Sequence, residues 1–268
     1  MPRRRCLHDR LLAETAEQTP GPPMLIAITV ITYEAADSIE DVLDRIPVRV
    51  AGEAPLILVS DDASSDNTRD LVEKWAEGNP SVALEVVRQD VNLGYGGNQK
   101  AAYRWATEHG ADIAILVHGD GQYPPELCEE LARPIIDGTA DAVHGSRMIL
   151  PGGARKGRMP LDRFVGNKAL SKGLNLLSGA ELTEWFSGYN AYRLSTLSSL
   201  DLHSLPDGFD FDAAISLRLL EQGATIAEVA IPTRYGDEVS RVPLLRTGMA
   251  TIGHAITHWR RRRAHGRA

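Results

Sequence analysis

Hydrophobic and polar positions alternate between two patterns along this chain. Short apolar, β-branched runs end in polar residues, and each is followed by a stretch with helical spacing. "MLIAITVIT" (24–32) reads as a central strand. In "EAADSIEDVLDRI", Ile39, Val42, Leu43 and Ile46 recur at helical intervals, and Asp37 or Ser38 is placed to cap the start. "PLILVSDD" predicts a second strand. "SSDNTRDLVEKWAEG" predicts a second helix, with Leu71, Val72 and Trp75 on one face. "VALEVVRQ" is a third strand, "NLGYGGNQKAAYRWATEHG" a glycine turn and a helix, and "ADIAILVHGD" a fourth strand. Strand–helix units joined by short links predict an α/β fold: one domain, with a mostly parallel central sheet and helices on both faces.

The second half is less regular. "DAVHGSRM" reads as a strand ending at Arg147, "PGGARKGRMP" as a loop and "LDRFVGNKALSKGLNLLSG" as a helix. "WFSGYNAYR" is a turn into a strand, "FDFDAAISLRLLEQG" a helix with an acidic start, and "TIAEVAIPTRYGDEVS" a strand and then a loop. From about Leu244, an apolar stripe of Leu245, Met249, Ile252, Ile256 and Trp259 steps by four, three, four and three, and Arg260 to Arg263 follow it. The stripe has two uses. It packs on the domain with the arginines in solvent, or stripe and arginines together lie on an anionic membrane. The expected organisation is a polar, proline-bounded, disordered leader (1–23), one domain (24–243), and a C-terminal amphipathic helix with a basic tail (244–268).

Composition narrows the function classes. Among 268 residues, 43% are hydrophobic and 24% charged, as in a globular protein, and a net charge of −7 argues against a nucleic-acid partner. The two cysteines, Cys6 and Cys128, form no metal-ligand spacing and no disulfide framework, so a reducing, cytoplasmic setting is the expectation.

In open sheets of this kind, ligands sit beyond the carboxyl ends of the strands. Those ends are polar here: Tyr33 and Glu34, then Asp61 and Asp62, then Asn92, then His118 and Asp120. Asp120 stands between two glycines on the turn after the fourth strand, which puts a carboxylate on the ligand rim. "NLGYGGN" is not a dinucleotide fingerprint, because Gln99 stands where the third glycine belongs and the motif follows the third strand, not the first. A nucleotidyltransferase would need a basic, glycine-rich loop after its first strand, where this chain has the acidic "TYEAADS". "DDASSDNT" also has a local use, as an Asx-turn capping the next helix.

Eight segments occur in one order: "TVITYEAADSIEDVL", "VSDDASSDNT", "NLGYGGNQKAAYRWA", "HGDGQYPPE", "GSRM", "SGYNAYR", "FDFDAAISLRLLEQG" and "IPTRYGDEVSR". Together they resemble family 2 glycosyltransferases of the GT-A fold, in particular the branch of dolichyl-phosphate mannose synthase and related polyprenyl-phosphate sugar transferases. The likeness spans roughly residues 24–241.

The resemblance implies an inverting, metal-dependent transfer from a UDP- or GDP-linked sugar to a polyprenyl phosphate or a small hydroxyl acceptor. The family's Asp-x-Asp signature reads His118-Gly119-Asp120 here, followed by Gly121-Gln122, so a histidine replaces the first acid. Asp120, with His118 and Gln122 beside it, is the implied site for Mg²⁺ or Mn²⁺; a single carboxylate plus substrate phosphates is enough for Mg²⁺, and imidazole suits Mn²⁺ better. Glu34, Asp61 and Asp62 are assigned to the nucleobase and ribose, with Tyr33, Asn92 and Gly94 as further substrate contacts. Arg147, Arg234 and Arg241 are the candidate phosphate cations. Asp212 or Glu184 would serve as base for a hydroxyl acceptor, whereas an acceptor phosphate needs none. The alternative is a sugar-nucleotide-binding protein of the same fold whose chemistry is impaired at His118. The expected location is cytoplasmic, with peripheral contact to the inner membrane face through the C-terminal tail if the acceptor is a lipid phosphate; without that contact a small soluble acceptor is favoured.

Overall fold

The computed structural model describes residues 24–232 and 244–265. Residues 1–23 and 233–243, Arg234 and Arg241 among them, lie outside the described residues, as does the side chain of Leu245.

Among the described residues, seven strands form one sheet: β1 (Ile26–Thr32), β2 (Leu56–Asp61), β3 (Leu84–Arg88), β4 (Ile113–His118), β5 (Ala142–Ser146), β6 (Asn190–Arg193) and β7 (Ile226–Ala230). Their order is β3-β2-β1-β4-β6-β5-β7. Neighbours are parallel except at β6, which runs antiparallel to both β4 and β5. All of β1 is buried, as its continuous apolar run requires of a central strand.

The helices are α1 (Ile39–Asp44), α2 (Thr68–Gly78), α3 (Tyr95–Glu108), α4 (Cys128–Ile136), α5 (Gly153–Lys156), α6 (Leu161–Ser178), α7 (Leu194–Leu197), α8 (Phe211–Glu221) and α9 (Leu244–His265). Successive residues of a strand face opposite sides, so each face of the sheet builds its own core. Ile28 and Val30 of β1 pack with Val42 of α1, Val72 of α2 and Leu131 of α4. On the other face, Ala27 and Ala114 meet Ala102 and Ala106 of α3, with Phe211 and Ile215 of α8 alongside. The small residues let α3 lie close to the sheet. The stretch 151–160, expected to be loop, contains the single turn of α5; it starts from Gly152, whose φ of 72° suits a residue without a Cβ.

The C-terminal helix differs from the packing expectation. Its inward face is Thr247, Thr251, Ala255 and His258, whereas Met249, Ile252 and Ile256 are 68%, 40% and 36% exposed. The surface it meets explains this. His254 Nε2 lies 2.8 Å from Asp210, at the start of α8, and Arg261 and His258 approach Glu221 at its end at 3.4 and 3.3 Å. A polar, small-residue face fits those carboxylates, and the apolar stripe is left outside. Ala255 completes a third small core with Leu174, Trp185 and Leu217, which joins α6, α8 and α9.

The first turn of α3 is pressed against the segment that leads into α8. Gly96 N donates to Asp207 O at 2.7 Å. A Cβ at Gly96 would fall 2.6 Å from Pro206 O and 2.7 Å from Phe211 Cβ. Gly96→Ala should therefore overpack this contact and lower unfolding free energy by about 1–3 kcal/mol. Urea denaturation measures this, and a variant as stable as the parent would contradict the packing.

Candidate active site

A cavity of about 920 Å³ opens over the carboxyl ends of β1 and β4 and extends to α6 and α9. Of the residues singled out from sequence, Tyr33, Glu34, Asp62, Asn92, Gly94, His118, Asp120, Gln122, Arg147 and Asp212 line it. Asp61 and Glu184 lie behind its wall, buried.

On the side of β1 and β2, the acids are tied to the backbone. Asp62 accepts from Leu93 N at 2.7 Å and Gly94 N at 3.0 Å, which fixes the loop entering α3. Burial raises the Asp62 carboxyl above its ordinary range, and these two amides pull the other way. Asp61 bonds Ser64 Oγ and lies 3.6 Å from Arg88 Nε. Asp66 accepts from Thr68 N at 3.0 Å, the Asx-turn expected at α2. Glu34 sits at φ 51°, unusual for a residue with a Cβ; its amide donates to Ser64 Oγ, and its carboxylate accepts from Ser65 Oγ.

The turn after β4 shows why Asp120 has glycine on either side. A Cβ at Gly119 would come 2.9 Å from the Thr32 side chain, and Gly121 takes φ 71°. Ser38, placed by its spacing to cap α1, makes no side-chain cap; its hydroxyl donates instead to Gly119 O at 2.7 Å. The turn is thus tied to the end of β1, and it holds Asp120 exposed at the cavity, with Oδ1 accepting from Gln122 N at 3.0 Å.

His118, at the end of β4, is enclosed. Tyr95 and Tyr123 meet its ring edge to face, with centroids 5.5 and 5.0 Å away. Gly188 permits this: a Cβ there would overlap the Tyr95 hydroxyl and lie 2.6 Å from His118 Nε2. Burial holds the imidazole below its ordinary value, and the Asp120 charge partly opposes that.

The two candidate bases have different surroundings. Asp212, in the first turn of α8, is 7% exposed and faces the cavity. It accepts from Tyr95 Oη at 2.8 Å and Gln99 Nε2 at 3.1 Å, and Tyr103 in turn holds Gln99 at 2.8 Å. Burial pushes the Asp212 carboxyl up to about 6, against these two hydrogen bonds. Glu184 is 1% exposed and answers a cation. It accepts from Arg147 N at 2.7 Å, from Arg147 Nε and Nη2, and from Asn167 Nδ2 at 2.8 Å. Arg147 also reaches Phe186 O at 3.1 Å. The pair presents an oriented guanidinium at the wall, its charge largely neutralised from behind.

Sequence reasoning missed Tyr95, Gln99, Tyr123 and Gly188. Tyr95 and Gln99 stand in "NLGYGGNQ", a segment from which only Asn92 and Gly94 are assigned to the substrate. A polar aromatic directly after a rim glycine was the available signal.

Among the described residues, no group of three or more His, Cys, Asp or Glu could hold a metal by itself. The donor set that faces the cavity is an exposed carboxylate beside an imidazole. It suits a hard divalent cation that completes its shell with phosphate oxygens and water. Chemically, the cavity offers a rim carboxylate for such a cation, a fixed guanidinium, and a carboxylate with a raised proton affinity.

Comparison with known proteins agrees with this arrangement. Residues 27–195 match the family described as Glycosyl transferase family 2. The chain is 34% identical to an undecaprenyl-phosphate mannosyltransferase of Micrococcus luteus over 209 residues, which covers 78% of this chain and 83% of that one. It is 28% identical to a polyprenol monophosphomannose synthase of Mycolicibacterium smegmatis, over 80% and 78% of the two chains. Glucosyl-3-phosphoglycerate synthase of Mycobacterium tuberculosis, solved with Mg²⁺ and UDP, superposes with a TM-score of 0.64 at 18% identity, covering 96% of this chain and 85% of that one. That likeness bears on the fold, while the family match and the 34% relative bear on descent: this chain belongs to glycosyl transferase family 2.

Proposed function

We propose that this glycosyltransferase moves a hexosyl or N-acetylhexosaminyl group, with inversion, from a UDP- or GDP-linked sugar to a polyprenyl phosphate. The observation that carries the reading is the meeting, in one cavity, of Asp120 at the end of β4 with Arg147 and Asp212. The acceptor class is supported by the names of the curated relatives, which act on undecaprenyl phosphate and polyprenol. The impaired-binder alternative has no observation in its favour.

In this reading, the donor nucleoside lies along Tyr33, Glu34, Asp62, Asn92 and Gly94, with Asp61 bracing that wall from behind. The diphosphate lies at Asp120, with Gln122 beside it. Asp120, helped by His118, would hold Mg²⁺ or Mn²⁺, which as a Lewis acid takes up charge on the leaving diphosphate. Glu184 orients Arg147 towards a phosphate and is not the base. Arg234 and Arg241 keep the roles implied by resemblance, as further phosphate cations. Asp212 receives the last proton of an acceptor phosphate that arrives as the monoanion; a fully ionised phosphate has none to give.

The exposed stripe of α9 gives the acceptor a way in. Gly248 of α9 lies against Leu170 of α6, and both line the cavity. Outside it, Met249, Ile252 and Ile256 of α9 are exposed, as are Leu161, Val165 and Leu176 of α6. By helical spacing, Lys168 and Lys172 share the face of Leu161, Val165 and Leu176 on α6, and Arg260 and Arg263 share the face of Met249, Ile252 and Ile256 on α9; all four basic residues are exposed. No helix among the described residues is long and apolar enough to cross a membrane. The contact we propose is therefore peripheral, with an anionic bilayer.

Three outcomes test the proposal. Asp120→Asn keeps shape but not charge, so donor turnover should fall at least about 100-fold; near-normal turnover would remove the diphosphate from this rim. Asp212 works as a carboxylate, present above its value of about 6 and lost as pH falls through it. The kcat profile should therefore show an acidic limb near pH 6, and Asp212→Asn should flatten that limb and lower kcat about 100-fold or more. A limb that survives the substitution would belong to the acceptor phosphate and leave Asp212 without a proton-transfer role. Finally, the full chain should co-sediment with anionic liposomes at low salt, and Met249→Glu with Ile252→Glu should release it. Absence of binding by the parent chain would overturn the membrane contact.

A further inference from the structure

Tyr95 touches both halves of the cavity. Its hydroxyl lies 2.8 Å from Asp212 Oδ2 and 3.2 Å from His118 Nε2. That hydroxyl has a single proton to give. An ionised carboxylate can only accept, so with Asp212 ionised the proton goes to Oδ2. The phenol oxygen then has lone pairs left for His118, and a neutral imidazole can meet them only with an N–H at Nε2.

The backbone of Gly188 closes off that edge of the ring. Gly188 packs against the Cε1–Nε2 edge, where its Cβ would come 2.6 Å from either atom. Tyr95 has little freedom to turn away. Its ring stacks on Phe209 with centroids 5.1 Å apart, and Gln99 occupies the other oxygen of Asp212.

We infer that Tyr95 is a positioning residue that sets the tautomer of His118: Nε2 carries the proton, and Nδ1 remains as the ring's lone-pair nitrogen, the one able to ligate a cation beside Asp120. The cation itself rests on the reading of Asp120 given above; the tautomer does not. The inference gives a physical account of how a histidine can stand where an acid is usual. A carboxylate offers lone pairs on either oxygen, whereas an imidazole offers one, and in the wrong tautomer it would aim an N–H at the cation. A ligating histidine is normally fixed by donating its other N–H to an oxygen, and here the phenol, backed by Asp212, is that oxygen.

Two-bond ¹H–¹⁵N correlation spectra of ¹⁵N-histidine-labelled protein, recorded at pH 8 without metal, report the tautomer directly. The His118 signals are assigned by their loss in His118→Gln. We expect the Nε2–H form in the parent chain and a mixed or reversed form in Tyr95→Phe, which keeps the ring and its stacking. Mn²⁺ affinity, measured by calorimetry with UDP or GDP present, should fall about 10-fold in Tyr95→Phe. An Nδ1–H form in the parent would overturn the inference. So would an unchanged tautomer, or unchanged Mn²⁺ affinity, in Tyr95→Phe. If the parent bound no Mn²⁺ with either nucleotide, the metal reading of Asp120 and the ligand role of Nδ1 would both fail, while the spectra alone would still decide the tautomer.

Discussion

A carboxylate taken out of water has to be met by donors, and two such groups organise this cavity. Glu184 is met by a cation: Arg147 and its own backbone amide close on it, with Asn167 completing the set. Removing one partner of a buried pair of this kind typically costs about 3–5 kcal/mol, because the other charge is left uncompensated. Among the described residues, Asp212 is met by neutral donors, a phenol and an amide. Its burial is therefore not offset by an opposite charge, and its carboxyl rises to about 6. Two acids in one wall thus acquire different properties from their surroundings, one an anchor and the other a group able to exchange a proton near neutral pH.

The fold supplies these surroundings from both of its halves. The parallel strands β1, β2 and β4 bring Glu34, Asp62, His118 and Asp120 to one rim. The irregular half brings Arg147, Glu184 and Asp212 over it. The halves are joined where α3 meets the segment before α8, a contact that glycine at position 96 keeps close. Tyr95, one residue earlier, extends that junction into the cavity and bonds groups on either side of it.

Much of the rim was legible in the chain because it follows from period. Continuous apolar runs mark buried strands, the polar residue that ends each run marks the ligand edge, and glycines around Asp120 mark a tight turn, crowded at Gly119 and left-handed at Gly121. What was not legible depends on partners distant in sequence. Arg147 and Glu184 are 37 residues apart in a stretch without regular pattern, so their pairing has no local signal. Tyr95 sits in a glycine motif, where a single tyrosine carries no periodicity. For α9, the apolar stripe was legible but its direction was not. A hydrophobic stripe tells which side of a helix is apolar, not what the helix meets, and here Asp210 and Glu221 turn the polar side inwards. Asp62 lines the cavity at the expected rim and also holds the amides of Leu93 and Gly94. That role also needs the folded loop to be seen.

The central claim is that the sugar passes to a lipid-linked phosphate. The direct measurement is a matrix of UDP- and GDP-linked sugars against undecaprenyl phosphate and a small hydroxyl acceptor, with Mn²⁺ or Mg²⁺ present, read by mass spectrometry of the lipid fraction together with nucleoside-diphosphate release. The account predicts a glycosyl phospholipid from at least one donor, formed one for one with the nucleoside diphosphate and dependent on the metal. Transfer to the hydroxyl acceptor, with no product in the lipid fraction from any donor, would contradict it.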